Sequence, residues 1–216
     1  MPRGSSALAA IRATHPLLAE LPEETLRRFE IYANLLEKWQ QTLNLVGQST
    51  LDDLWVRHFA DSLQVAEAVP AARRWLDFGS GAGFPGLVTA IKVAGETDAR
   101  VHLIESDRRK CAFLQTVIRE TSAPAIIHCG RLEAILPEFN EPIDAISARA
   151  LAPLEALLRY GEKFIEKGAT GVFSKGKHFE TELTDSLTAG KYFITTMESQ
   201  TCSTARLVLV KRSARP

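Results

Sequence analysis

The chain lacks most of the features that announce a compartment or a metal. It has 216 residues and only three cysteines, Cys111, Cys129 and Cys202. They are far apart and form no C-x-x-C pattern, which argues against structural zinc and for a reducing compartment. No apolar run is long enough to span a membrane. The apolar run Ala7 to Ile11 is short and broken by Arg12, so a secretory signal is not expected. The first twenty residues are poor in acids and carry Arg3, Arg12 and two serines, a faint likeness to a transit peptide beside the plainer reading of a frayed terminus. There is no excess of charge of either sign, with 26 Lys and Arg against 26 Asp and Glu. A global basic field for nucleic acid is therefore excluded, and any RNA contact must use local patches. Repeats and low-complexity segments are absent too.

What is present is concentrated in Trp75-Leu76-Asp77-Phe78-Gly79-Ser80-Gly81-Ala82-Gly83-Phe84-Pro85-Gly86. The apolar start reads as a buried strand. Gly79, Gly81 and Gly83 permit positive φ and a close approach of ligand to backbone. Pro85 suits the first position of a helix, whose N-terminus offers free N–H groups. Gly81 to Gly86 fits the dinucleotide pattern G-x-G-x-x-G, while Asp77 to Gly83 looks like the first motif of S-adenosylmethionine (AdoMet) methyltransferases. Val101 to Glu105 reads as the next strand, ending in a carboxylate about 20 residues past the glycines, where ribose hydroxyls are bound in such folds.

Strand and helix patterns alternate after residue 71. Strands are expected at Val101–Glu105, Ala125–His128, Ile143–Ser147 and Gly171–Ser174, with a closing pair at Tyr192–Met197 and Ala205–Val210. Ser106 or Asp107 caps a helix through Arg119, another runs from Pro153 to about Tyr160 or beyond, and a third is expected from about His178 to Leu187. Such alternation implies a parallel sheet with helices on both faces. Before it, Leu21 to Leu43 carries a helical stripe through Leu26, Phe29, Leu36 and Leu43. Ser49 or Thr50, with Asp52 or Asp53, reads as a capping box for a second helix. That helix brings Arg57, His58, Asp61 and Ser62 together at i, i+4 spacing. On these residues alone a surface ion pair beside a satisfied histidine is favoured over a polar lip at the site. The tail Lys211 to Pro216 reads as basic and mobile. The resulting division is a helical extension over 1–70 packed on a main domain over 71–216.

These motifs together resemble the small-subunit ribosomal RNA guanine-N7 methyltransferases, the glucose-inhibited division protein B family. The likeness runs from about Leu36 to Lys177. It includes Asn44-Leu45, Arg57-His58 with Asp61-Ser62, the whole glycine turn with its Phe-Pro-Gly close, and Glu105-Ser106 with Arg109-Lys110 and Phe113-Leu114. It continues through Arg131-Leu132-Glu133, Ser147-Ala148-Arg149-Ala150 and Lys175-Gly176. Val46 departs from the family's usual threonine. The resemblance implies a Rossmann-like α/β fold with a seven-stranded, mostly parallel sheet and an antiparallel last strand. It also implies AdoMet-dependent methylation of guanine N7 in 16S ribosomal RNA, in the bacterial cytoplasm. A monomer with no need of metal or membrane is expected. The substrate is either the RNA or the small ribosomal subunit. Family cofactor contacts fall on Gly79, Phe84, Leu132, Glu133 and Arg149; Gly81, Gly83 and Glu105 join them by the turn and strand-end argument.

Guanine N7 carries a lone pair and no proton, so it can attack in line without a base, and no catalytic residue is named. The fourth strand ends in Ser147-Ala148-Arg149 rather than the Asn/Asp-Pro-Pro-aromatic motif of amine methyltransferases, and no Pro-Cys pair offers a nucleophile. A cation beside a base that becomes cationic would be unhelpful, so Arg149 is expected on the cofactor. Lys175 and Lys177 at a strand end are the expected phosphate contacts, followed by Arg57 and His58. Three other readings stay open: an NAD-dependent oxidoreductase, a small-molecule methyltransferase, and a non-catalytic RNA-binding assembly factor.

Overall fold

The computed structural model describes residues 8, 12, 13, 15–177, 179, 181, 182 and 191–213. The N-terminal part contributes α1 (Pro16–Ala19), α2 (Glu23–Gln40), a π-helix over Trp55–Ala60 and α3 (Asp61–Glu67). Next come β1 (Arg74–Phe78), α4 (Gly86–Lys92), β2 (Arg100–Glu105), α5 (Arg108–Thr121), β3 (Ala125–Cys129) and α6 (Leu132–Ile135). The chain closes with β4 (Ala145–Arg149), α7 (Leu154–Glu166), β5 (Thr170–Lys175), β6 (Tyr192–Glu198) and β7 (Arg206–Arg212). The seven strands form one sheet in the order β3-β2-β1-β4-β5-β7-β6. Strands β1 to β5 are parallel, and β7 runs antiparallel to both β5 and β6. The chain leaves β1 toward one edge and later returns to its other side. The carboxyl ends of β1 and β4 therefore flank a topological switch point, where open α/β sheets bind ligands.

Burial on both faces explains the near-continuous apolar strands. On one face Trp75, Leu103, Leu87, Phe113 and Leu114 form a core with Phe29, Tyr32, Leu36 and Phe59 from the N-terminal helices. On the other, Leu76, Phe78, Ile104 and Ile146 pack against Leu157 and Phe164 of α7. The stripe read along α2 is thus buried against α4 and α5.

Several boundaries differ from the sequence reading, each for a local reason. The Ser49/Thr50 capping box does not form. Thr50 Oγ1 instead donates to Gly47 O at 2.7 Å, and the chain enters the next helix only at Trp55, as a π-helical turn. Strand β4 begins at Ala145 rather than Ile143, because the Asp144 carboxylate accepts the backbone N–H groups of Arg73 and Arg74 at 3.0 and 2.9 Å. Lys211 and Arg212 belong to β7 rather than to a mobile tail, and 214–216 lie outside the described residues. So do 1–7 of the transit-like segment and most of the helix expected from His178 to Leu187.

Asp107 does cap α5: its carboxylate accepts Arg109 N at 2.8 Å and Lys110 N at 3.4 Å. Asp107→Ala should lower unfolding free energy by about 1 kcal/mol, measured by chemical denaturation, with Asp107→Ser recovering most of the loss.

Candidate active site

The glycine turn leaves β1 with three positive φ values: 64° at Gly79, 58° at Gly81 and 97° at Gly83. It opens onto a cleft of about 530 Å³ at the carboxyl ends of β1, β2 and β4. Gly79, Gly81, Phe84, Glu105, Leu132, Glu133 and Arg149 all line this cleft. Gly83 does not, and the structure corrects its role. A Cβ there would stand 2.5 Å from the Tyr32 hydroxyl and 2.9 Å from Leu87 Cβ, so Gly83 is a packing glycine. At Gly81 the nearest atom to such a Cβ is Gly79 O at 3.9 Å, and bare backbone faces open space. Pro85 is the N-cap of α4 rather than its first residue, and the Phe84–Pro85 peptide is cis.

Glu105 is buried, and both its oxygens are engaged by backbone. Oε2 accepts Gly81 N and Oε1 accepts Asp107 N, each at 2.7 Å. An ionised carboxylate has about four acceptor positions, so room remains for hydroxyl donors from the cleft. Asp77 lies sealed beneath the turn. One oxygen accepts Ser147 Oγ at 2.7 Å, and burial pushes its pKa up to about 6. Glu133 is exposed and accepts a hydrogen bond from Tyr160. Tyr160, Leu45 and Val46 also line the cleft, so Val46 is an apolar wall. Tyr160 was missed by sequence reasoning, since a tyrosine on an amphipathic helix reads as ordinary core.

Arg149 gathers the cluster at residues 57–62. Its Nη1 donates to Arg57 O at 3.0 Å and to Asp61 Oδ2 at 3.2 Å, and its Nη2 reaches His58 Nδ1 at 2.9 Å. The guanidinium carbon also lies 5.2 Å from the Phe84 ring centroid. A guanidinium only donates, so His58 Nδ1 accepts. The ring proton then sits on Nε2, 2.8 Å from Thr50 Oγ1, whose own proton is given to Gly47 O. Burial, with Arg149 and Arg57 nearby, lowers the His58 pKa from 6.5 to about 3. His58 and Asp61 therefore belong to a largely buried network with Arg149, to which Arg57 gives only its carbonyl, and not to the surface ion pair that the residues alone favoured; Ser62 is buried outside that network.

The RNA candidates divide accordingly. His58 is engaged through both nitrogens and is not available to phosphate. Lys175, with its side chain 10% exposed, pairs with Glu182 at 2.6 Å and donates to Ala152 O at 3.0 Å. Both are corrected to structural roles. Arg57 and Lys177 are exposed.

Gly83→Ala should destabilise the fold by about 2 kcal/mol or more through overpacking. Gly81→Ala should cost about 1 kcal/mol for the left-handed backbone and chiefly weaken ligand binding, which thermal unfolding and titration calorimetry separate. His58 stays neutral in the folded chain while the unfolded chain protonates below pH 6.5. Its stability contribution is thus complete above that pH and is lost on acidification toward pH 3, by about 1.4 kcal/mol per unit. His58 ring resonances should not titrate down to pH 5, and His58→Gln should flatten the acid limb of the stability profile.

The family described as GidB: rRNA small subunit methyltransferase G matches residues 25–206. The chain is 44% identical to the Ribosomal RNA small subunit methyltransferase G of Methylorubrum populi over 192 residues, covering 89% of this chain and 90% of the relative. It is 43% identical to that of Bradyrhizobium diazoefficiens, covering 87% of this chain and 71% of the relative. Among solved structures it resembles the O-methyltransferase TomG from Streptomyces achromogenes in complex with SAM, with TM-score 0.61, 15% identity and 98% of each chain covered. It also resembles the Bacillus cereus O-methyltransferase in complex with SAH, with TM-score 0.57, 14% identity and 97% and 98% covered. Those two likenesses establish a methyltransferase fold. The match over residues 25–206, with identity above 40% along most of both chains, places this chain in the GidB family of small-subunit rRNA methyltransferases.

Proposed function

We infer that this chain is an AdoMet-dependent methyltransferase of 16S ribosomal RNA, and that the acceptor atom is N7 of a guanine. The observation that carries the reading is the cleft itself. Bare backbone at Gly81, the clamped Glu105 carboxylate and the Arg149 guanidinium converge there, beside Gly79, at the switch point of the sheet. These groups fit AdoMet. Glu105 can accept from ribose hydroxyls, Leu132 offers an apolar wall to a purine, and Arg149 can hold a carboxylate. Glu133 and Tyr160 close the outer side. When bound, AdoMet supplies an electrophilic methyl group.

The residues around the cleft also support an acceptor that needs no deprotonation. A general base must have a free lone pair within reach of the proton it takes. His58 Nδ1 is occupied by Arg149, Asp77 is sealed beneath the turn, Glu133 takes the Tyr160 hydroxyl, and the acceptor positions left on Glu105 are those assigned to ribose hydroxyls. Guanine N7 asks only for orientation and exclusion of water, the proximity contribution to rate. The exposed charges of Arg57 and Lys177 supply RNA phosphate contacts. A ribosomal RNA substrate places the work in the bacterial cytoplasm.

The test is transfer of labelled methyl from AdoMet into unmodified small ribosomal subunits, with mapping of the modified base. Label at a guanine N7, reduced at least about tenfold by Glu105→Ala through lost cofactor binding, is the expected result. AdoMet binding without label in RNA would overturn the substrate assignment. Arg57→Ala with Lys177→Ala should raise KM for RNA and leave the AdoMet Kd unchanged.

A further inference from the structure

The turn between β6 and β7 is far from the glycine turn in sequence, yet it is wired to the cleft. Gln64 on α3 donates from Nε2 to Ser199 Oγ at 3.1 Å and to Asp61 Oδ1 at 2.8 Å. Its Oε1 accepts Gln200 N at 3.0 Å. Thr201 Oγ1 donates to Asp61 Oδ1 at 2.7 Å, and Thr201 N donates to Ser199 Oγ at 3.2 Å. One oxygen of Asp61 therefore faces the turn. The other takes Arg149 Nη1 at 3.2 Å. The Asp61 and Arg149 side chains are only 16% and 18% exposed.

A staple for the β6–β7 turn would need Gln64 alone, which already holds Ser199 and Gln200. The arrangement does more. Three acceptors orient the Arg149 guanidinium: Arg57 O, His58 Nδ1 and Asp61 Oδ2. Of these, only Asp61 also bonds the turn. Its carboxylate angle is set by Thr201 and Gln64 on one oxygen and transmitted to Arg149 by the other.

We propose that Asp61 is a positioning residue for methyl transfer: with Thr201 and Gln64 it sets the Arg149 guanidinium in the cofactor cleft from the β6–β7 turn. The proposal rests on the reading that Arg149 holds the carboxylate end of AdoMet. It makes the last hairpin a working part of the site, through a group that never touches the cofactor.

Thr201→Val removes the donor and keeps the shape. The AdoMet Kd of the full chain should rise about five- to tenfold, the size of one net hydrogen bond. Thr201→Ser, which restores the hydroxyl, should return the Kd to within about twofold of wild type. On an Asp61→Ala background, which has no side-chain oxygen to accept from Arg149, Thr201→Val should have no further effect on Kd. A purely structural role would lower the unfolding midpoint without this pattern. In the ligand-free chain, Thr201→Val should also move the Arg149 side-chain ¹H–¹⁵N resonance and leave that of Arg74, which is paired with Asp144 at the other end of the sheet. A Kd within twofold of wild type and an unmoved Arg149 resonance in Thr201→Val would overturn the proposal. Should wild type bind no AdoMet, the functional reading fails, and the relay is decided by the resonance alone.

Discussion

The site depends on a single carboxylate held between two backbone segments. Glu105 ends β2 and binds Gly81 N of the preceding turn with one oxygen and Asp107 N of the following cap with the other. The glycine turn, the end of β2 and the start of α5 are thereby fixed relative to one another before any ligand arrives. A glutamine could accept at only one of these positions, so the need for charge is structural as well as chemical. The N-cap at Asp107 continues the same arrangement, because its backbone N–H serves Glu105 while its side chain serves α5.

Behind the turn, packing does equivalent work. Tyr32 stacks on Phe84 with centroids 5.2 Å apart and rings 14° from parallel, and its hydroxyl donates to Ala82 O. Arg149 sits over the same Phe84 ring, and His58 lies 4.9 Å from it. The N-terminal helices are thus not a passive cover. They provide the aromatic floor of the turn through Tyr32 and the network that aims Arg149 through His58 and Asp61. Gly83 is a packing position for the same reason, since the space a side chain would need is filled by Tyr32.

Much of this architecture was legible in the residues. Apolar runs bounded by glycine and proline announced the strands, and the 3.6-residue stripe announced α2. A cap at Ser106 or Asp107 was readable because competition for backbone donors there is local, and the structure chose Asp107. The cleft lining was readable too, since residues at strand ends must face the ligand side of a parallel sheet. Lys175 was misplaced by the same logic. Its position at a strand end is right, but Glu182 and Ala152 O draw the side chain away from solvent. The Thr50 hydroxyl escaped the capping box because His58 and Gly47, not the next turn of helix, supplied its partners.

Sequence alone determined the order of elements, the parallel sheet, the cofactor turn and the family. The first three follow from local backbone preference, hydrophobic period and motif spacing, none of which needs a distant partner; the family follows from the resemblance of the motifs to a known one. Tertiary structure decided which glycine is bare and which is packed. It also decided which cations are spent on internal carboxylates and which carboxylate aims Arg149. The physical reason is common to all three. Each depends on atoms more than fifty residues apart, or on the competition of several donors for one acceptor, and spacing along the chain carries no record of either.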